Sequence, residues 1–305
     1  MIKRNYVFSD VHEDIEALAA FTDYAQSQEA DNLIFLGDFS LRPYTASDLS
    51  NLIDSPQNPR DIQKFIKAKR THNEKIIGEM KTVLDSSGID YLVIPGNYDP
   101  EISKIFGEND MHNKTTKIGE AKIFGYGGAD IFPPQIIPLA NWGEIVKFDH
   151  RELYDRLVAE RPDIAVIHNP PRGLCDDMFD GTNIGTSSTT EYIEENYPKL
   201  VLSGHIHEAG PLGNNPAGVK GIRTVENDSG KKTTIINPGN LGRFELISIH
   251  SLETQMSFPF GTFVEVLTEE DGTPKKINQY SLAGIKGEGC IGKVSKIGEF
   301  DLQLV

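Results

Sequence analysis

Short apolar runs, each stopped by a Gly, Asp, Asn or His, recur along the first two-thirds of this chain. Runs of that length rich in Val, Ile, Leu and Phe predict buried strands, and the longer amphipathic stretches between them predict helices. The first predicted strand, 5–9, ends at Asp10-Val11-His12. A helix predicted over 15–25 follows, with Ile15, Leu18 and Ala19 on one face and Thr22 at the next turn, so it packs on the sheet with its N-terminus near the loop. Strands at 32–36 and 91–94 end at Gly37-Asp38 and at Pro95-Gly96-Asn97-Tyr98-Asp99. Between them a stretch rich in Pro, Ser and Asn leads into a helix predicted from 61 to about 84, which together form a helical insertion over about 41–86.

The alternation continues with a strand at 122–126 before Gly127-Gly128, a Pro-containing loop over 132–142 and a helix from about 149 to 160. A strand at 163–167 then ends at His168-Asn169-Pro170-Pro171-Arg172. The helix predicted over 189–196 takes Thr189 or Thr190 as its N-cap, and Pro198 closes it before a strand at 199–203. That strand stops at Gly204-His205-Ile206-His207-Glu208. Beyond it short strands replace helices: 233–236 leads to Asn237-Pro238-Gly239-Asn240, and 261–268 alternates well enough to pair with 275–281 as a hairpin. One domain is expected over 1–282, with 283–305 a glycine-rich tail or an added strand.

At 305 residues and 38% hydrophobic content, the chain can bury a full core. A formal charge of -15 repels polyanions, so long nucleic acid is not an expected partner, and a small anionic substrate needs local cations. Lys64, Lys67, Lys69 and Arg70 are either a solvated helix face or a cover over such a site. Two cysteines, Cys175 and Cys290, are too few for a disulfide framework and suit a reducing cytoplasm, the expected location. No run has the length of a membrane span, and none at the N-terminus has the form of a secretory signal, so no membrane partner is expected.

Candidate chemistry lies at the strand ends. Asp10 and His12 end the first strand, Asp38 the second, Asn97 the third, His168 a later one, and His205 with His207 the next. Each alone has a plain structural explanation as a helix cap, a turn residue or a core histidine. In an open α/β sheet, however, the carboxyl ends of the strands share one edge, so all of them converge. Carboxylate, imidazole and amide ligands without thiolate suit Mn, Fe or Zn better than Ca or Mg alone. Seven ligands exceed the needs of one small ion, whereas two ions about 3.5–4 Å apart that share a carboxylate use them all.

In order and spacing, Asp10-x-His12, Gly37-Asp38, Gly96-Asn97-x-Asp99, His168 and Gly204-His205-x-His207 resemble the motifs of the calcineurin-like metallophosphoesterase superfamily. His168-x-Pro170-Pro171 with Asn237-Pro238-Gly239 is most similar to its Icc-related predicted phosphoesterases. The resemblance implies an α/β fold, a four-layer αββα sandwich of two mixed sheets flanked by helices. It implies one ion on Asp10, His12 and His207, a second on Asn97, His168 and His205, and Asp38 between them. Two divalent ions, with manganese favoured, carry the implied reaction: in-line attack of a bridging hydroxide on a phosphodiester or an activated phosphomonoester. A small phosphate ester or nucleotide is the expected substrate, and a homo-oligomer remains open.

The chain departs from the pattern at Tyr98, where many members have a histidine that protonates the leaving group. A phenol with a pKa of about 10 is a weaker acid, so Tyr98 either donates a hydrogen bond or only packs beside the ions, and Asp99 holds Tyr98 or the loop. Arg172 is the candidate phosphate grip, with a surface salt bridge as the alternative. His72, His112, His150 and His250 read as ordinary, although His112 or His150 replaces the missing acid if a loop brings it near. Cys175 reads as a small buried or loop residue. Two other functions stay open: a scaffold or sensor that kept the fold without the chemistry, and a protein phosphatase, which the weak acid at Tyr98 disfavours.

Overall fold

The computed structural model describes residues 1–41, 44–54, 58–130, 137–213, 220–247, 251, 253–284 and 291–302. In chain order the first elements are β1 (Lys3–Phe8), α1 (Ile15–Ser27), β2 (Asn32–Phe35), α2 (Ala46–Asp54), α3 (Pro59–Ser86), β3 (Asp90–Val93) and α4 (Ile102–Phe106). Next come β4 (Lys114–Ile118), β5 (Ala121–Tyr126), α5 (Ile137–Asn141), α6 (His150–Glu160), β6 (Ile164–Ile167), α7 (Ser187–Asn196) and β7 (Leu200–Leu202). The last part holds β8 (Ile222–Glu226), β9 (Lys232–Ile236), β10 (Phe244–Ile247), β11 (Thr254–Phe258), β12 (Phe260–Thr268), β13 (Pro274–Gly284) and β14 (Ile291–Asp301).

Two six-stranded mixed sheets result, in the orders β14-β13-β12-β1-β2-β3 and β4-β5-β6-β7-β9-β8, with β10 and β11 pairing apart from both. In the first, β1, β2 and β3 run parallel; in the second, β5, β6, β7 and β9 do. The two-residue period of a strand sorts their side chains into three apolar layers. Tyr6 and Phe8 of β1 join the layer under α1 and α3, while Val7 joins the layer between the sheets. Ile164 and Val166 of β6 meet that same middle layer, while Ala165 and Ile167 face Leu153, Leu157, Tyr192 and Ile193 of α6 and α7. Helix, sheet, sheet, helix is therefore the observed order of layers, the αββα sandwich.

Local chemistry sets the helix starts. Asp14 caps α1 by accepting from Ala17 N at 3.1 Å, and Asn58 caps α3, whose first residue is Pro59. Within the stretch rich in Pro, Ser and Asn, Thr45 and Asp48 cap each other, at 3.1 Å from Asp48 N to Thr45 Oγ1, and start α2. The helix expected from Thr189 begins at Ser187 with Thr186 at its N-cap, and the Thr186 hydroxyl bonds His150 rather than the helix. Part of the loop expected over 132–142 is α5, and 131–136 lie outside the described residues. Strands β4 and β8 escaped the apolar pattern because each lies at a sheet edge and is largely exposed. Near the C-terminus, β13 continues through Gly284 and β14 pairs antiparallel beside it.

One buried ion pair locks the loop before β10 onto the start of α1. Arg243 Nε lies 2.7 Å from Asp14 Oδ2 and Nη2 2.9 Å from Oδ1, and both side chains are buried. Burial pushes the Asp14 carboxyl up, but its bonds to Arg243 and to Ala17 N outweigh that and hold it below the ordinary carboxylate value. A depressed carboxylate contributes stability above its unfolded pKa of about 4 and loses it as pH falls through the lower folded value. Asp14→Asn is expected to cost about 3–5 kcal/mol at pH 7 in urea unfolding, with the gap to wild type narrowing below about pH 4. A gap that does not depend on pH would contradict the charged pair.

Candidate metal centre

The strand-end residues converge, but across two sheets rather than along one edge. Asp10, His12, Asp38 and Asn97 follow β1, β2 and β3 of the first sheet, and His168, His205 and His207 follow β6 and β7 of the second. An apolar run signals a buried strand without saying which sheet it enters, so the single edge inferred from the pattern is corrected to two facing edges. Within each sheet neighbouring loops are bonded, as in Asp10 N to Gly37 O at 2.9 Å and Gly204 N to His168 O at 3.0 Å. Between the sheets His168 Nδ1 meets Leu36 O at 2.7 Å, and His205 N donates to Asp10 Oδ2 at 3.1 Å.

Two compact ligand groups result, Asp10 with His12 and His207, and Asp38 with His168 and His205. In the first, His207 Nε2 lies 3.0 Å from Asp10 Oδ1 and 3.2 Å from His12 Nε2, and His12 Nε2 lies 3.7 Å from the same carboxylate oxygen. In the second, His168 Nε2 lies 3.5 Å from Asp38 Oδ2 and 3.1 Å from Asn97 Oδ1. Such separations suit ligands at about 2.1 Å from a shared ion. Two imidazole nitrogens 3.2 Å apart beside a carboxylate oxygen bring three donor atoms to one small space, a donor set that fits a metal. Accepting a bond from His168 Nδ1–H, the Leu36 carbonyl leaves the Nε2 lone pair for that ion.

The backbone carries the strain of this convergence. Asp10, His12, Asp38 and His205 have φ of 53°, 46°, 58° and 64°, the left-handed region that side-chain-bearing residues rarely adopt. The motif glycines answer close approach. A Cβ at Gly96 would stand 1.8 Å from Asp38 Oδ1, and one at Gly204 would stand 2.0 Å from Ser9 Oγ and 2.8 Å from Asp10 Oδ2.

Electrostatically the six charged or chargeable side chains balance one another. Burial raises both Asp10 and Asp38, but His207 outweighs it at Asp10 and His168 at Asp38, so both carboxyls end below the ordinary value. Burial lowers His168, yet the Asp38 carboxylate brings it up to about 9; His207 rises likewise beside Asp10. His205 falls to about 3 through burial and the charge of His168, and burial lowers His12.

Other candidates fall into place around the groups. Asp99 is fully buried and accepts from Phe39 N, Ser40 N, Ser40 Oγ and Gly96 N at 2.8–3.1 Å, stapling the loop after β2 to the loop after β3. Burial and the neighbouring Asp38 push it up to about 6 against those four donors. The ring of Tyr98 packs against a cluster of Leu49, Leu139 and Ile145, and its carbonyl accepts from Lys69 Nζ and Asn73 Nδ2. Lys69, one of the basic helix stretch, is buried at 3.5 Å from Glu144, which also binds Arg70 at 2.7 Å. Those cations therefore fasten α3 to the segment after α5.

Arg172 is exposed, and among the described residues no hydrogen bond or ion pair joins its guanidinium to the ligand groups. His72 pairs with Glu13 at 2.9 Å, His112 Nδ1 accepts from Gly127 N at 2.9 Å, and His150 pairs with Asp130 at 2.8 Å. Cys175 is buried, which pushes its thiol far up and leaves it unreactive, while His250 and Cys290 lie outside the described residues. Phe244 and Phe258, absent from the sequence expectations, pack on the histidines, with Phe244 at 4.2 Å from the His12 ring and Phe258 at 5.1 Å from that of His207. The strands β10 and β11 that bring them are short, and the alternation Phe244-x-Leu246 and Met256-x-Phe258 is the signal that could have found them.

A family model described as calcineurin-like phosphoesterase matches residues 4–209. This chain belongs to the calcineurin-like phosphoesterase family. Among solved structures, TT1561 of Thermus thermophilus is similar at 17% identity and a TM-score of 0.50, over 84% of this chain and 98% of that one. A dimetal phosphatase from Danio rerio is similar at 10% identity and a TM-score of 0.50, over 97% of this chain and 98% of that one. Such identities show the shared fold of the calcineurin-like phosphoesterases and nothing finer. No curated protein matches the chain.

Because all four donors at Asp99 face its two oxygens, an amide there sets N–H groups against N–H groups in either orientation. Asp99→Asn is expected to cost about 2–3 kcal/mol in urea unfolding and to weaken retention of divalent metal. Wild-type stability with unchanged metal content would refute the staple.

Proposed function

We propose that this phosphoesterase-family chain is a dimetal hydrolase of phosphodiesters or activated phosphomonoesters. The observation that carries the reading is the pair of ligand groups, each with its three donor atoms within 4.8 Å of one another. Asp10, His12 and His207 would hold one ion and Asn97, His168 and His205 the other, with Asp38 as a further carboxylate ligand. Manganese is favoured by the mixed oxygen and nitrogen donors without thiolate. When bound, the ions supply positive charge to the phosphoryl oxygens and an activated water for in-line attack.

The remaining work falls to the chain's own groups. His168 and Asp10 are oriented by Leu36 O and His205 N, so their lone pairs face inward without rearrangement. Asn97 is placed by its own N–H, which donates to Asp38 Oδ1 at 2.8 Å, and its amide can meet both ion and substrate. Tyr98 offers a phenol in place of a histidine, which suits esters whose leaving group needs little protonation. Arg172 is assigned to substrate phosphate on its charge and exposure. The buried reduced thiol of Cys175 suits the cytoplasm as the site of action. Among the described residues no helix is long and apolar enough to cross a membrane.

The substitution at Tyr98 also favours a second reading, a metal-binding scaffold with little turnover. Metal-stripped protein is expected to be inactive toward bis(p-nitrophenyl) phosphate and to regain turnover with Mn²⁺, and Asp38→Asn is expected to abolish it while lowering metal content. Turnover unaffected in Asp38→Asn would refute the hydrolase assignment. Two ions per chain with no turnover on any ester would favour the scaffold. A Tyr98→His variant is expected to gain on alkyl esters relative to aryl esters, and an unchanged ratio would remove the acid argument.

A further inference from the structure

A cavity of about 340 Å³ opens beside the metal centre, with His207 in its wall. That volume is in the range of small-molecule sites. Phe179, Met256, Phe258 and Phe260 give it apolar walls, Glu208 and Asn240 give it polar ones, and no Lys or Arg is among its described lining residues. The strands β10 and β11, paired apart from the two sheets, are what enclose it, since Phe258 stacks on Phe244 at 4.9 Å and also packs on His207.

Glu208 is the residue that asks for a ligand. It sits in the single helical turn His207–Ala209, is 5% exposed, and its carboxylate makes no hydrogen bond or ion pair among the described residues. Its oxygens are not among the sealed unpartnered atoms, so they keep some exposure, and Glu208 is one of the residues that line the cavity. A carboxylate so nearly buried is costly to leave without a partner. Asn240 adds a second acceptor: its Nδ2 donates to Gly242 O at 2.7 Å and Phe260 O at 3.2 Å, which commits the amide N–H groups and leaves Oδ1 available. At the rim, the Phe179 ring is 54% exposed and presents a face for stacking.

We propose that this cavity holds the organic group of the phosphoester, an apolar body that carries amino N–H donors and no negative charge, with Glu208 as the residue that selects it. The proposal rests on the phosphoesterase reading for the place of the ester beside His207. Glu208 and the Asn240 carbonyl are both acceptors and repel a further phosphate set against them, so nucleoside triphosphates and inorganic polyphosphate are poor occupants. Amino donors on an apolar body come from two sources, the exocyclic amine of a nucleobase or an arylalkyl ammonium. Both place N–H groups against Glu208 and Asn240 and a ring against Phe179 and Phe258.

Calorimetric binding to the full chain with two matched pairs tests this: adenosine against purine riboside, and benzylamine against benzyl alcohol. In at least one pair the amine is expected to bind about tenfold tighter than its twin, and Glu208→Gln to erase most of that preference. The pair that responds names the source. Phe179→Ala, a change at an exposed position, is expected to weaken both members of that pair alike. No amine preference in either pair, a preference that persists in Glu208→Gln, or unaltered binding in Phe179→Ala would each overturn the proposal. Should Glu208→Gln fail to fold by its melting curve, the wild-type pairs and Phe179→Ala still decide. Hydrolysis of bis(p-nitrophenyl) phosphate with Mn²⁺, run in parallel, reads the phosphoesterase activity separately, so its absence alongside intact amine selection would remove that activity and not the cavity's ligand.

Discussion

Two buried carboxylates and four imidazoles occupy one small volume, and the fold around them is arranged to tolerate it. Asp10 and Asp38 lie 3.0–3.7 Å from imidazole nitrogens of His207, His12 and His168. Burial penalises every one of these charges, and each carboxylate is compensated by the imidazole beside it, His207 at Asp10 and His168 at Asp38. What keeps them in place is backbone: left-handed turns at Asp10, His12, Asp38 and His205, and glycines at 96 and 204 that let the ligand oxygens approach the neighbouring loop.

Because the ligands come from two sheets, the geometry of the centre is set by how those sheets pack. Val7, Ile34 and Ile94 on one side meet Val166, Leu202 and Ile236 on the other in the layer directly beneath the strand ends. A close-packed layer of this kind transmits any change of spacing to the loops above it. Cross-sheet bonds from His168 to Leu36 and from His205 to Asp10 then fix the last few tenths of an ångström. Stability and site geometry thus share the same residues, which is the condition for a preorganised centre.

Around this frame, two peripheral pieces shape what can reach the centre. Helix α3 fastens the loop of Asn97 and Tyr98 through Lys69 and Asn73, and Lys69 and Arg70 both meet Glu144, so these two basic residues act as struts, while Lys64 and Lys67 lie exposed. On the other side β10 and β11 bring Phe244 and Phe258 over His12 and His207 and, with Glu208, bound the cavity.

How far the chain could be read without its structure depended on which interactions are local. Apolar runs ending in Asp10, Asp38, Asn97, His168, His205 and His207 carry their meaning within a few residues, because burial of a strand and the turn at its end are both short-range requirements; strand type, ligand chemistry and family followed from them. Edge strands such as β4 and β8, largely exposed and polar, gave no such signal, and the capping pair of Thr45 and Asp48 lay in a stretch rich in Pro, Ser and Asn where no separate helix was expected. Nor could spacing along the chain tell that Asp99 would spend its oxygens on four loop donors, that Lys69 would be buried beside Glu144, or that Glu208 would line a cavity beside the metal centre. The sequence by itself determined which residues could bind metal, since that is a property of side-chain type and of the strand each one ends. Only the tertiary structure decided which of them meet, because the division into two sheets arises from contacts between distant segments, such as those of Asn5 and Val266, 261 residues apart.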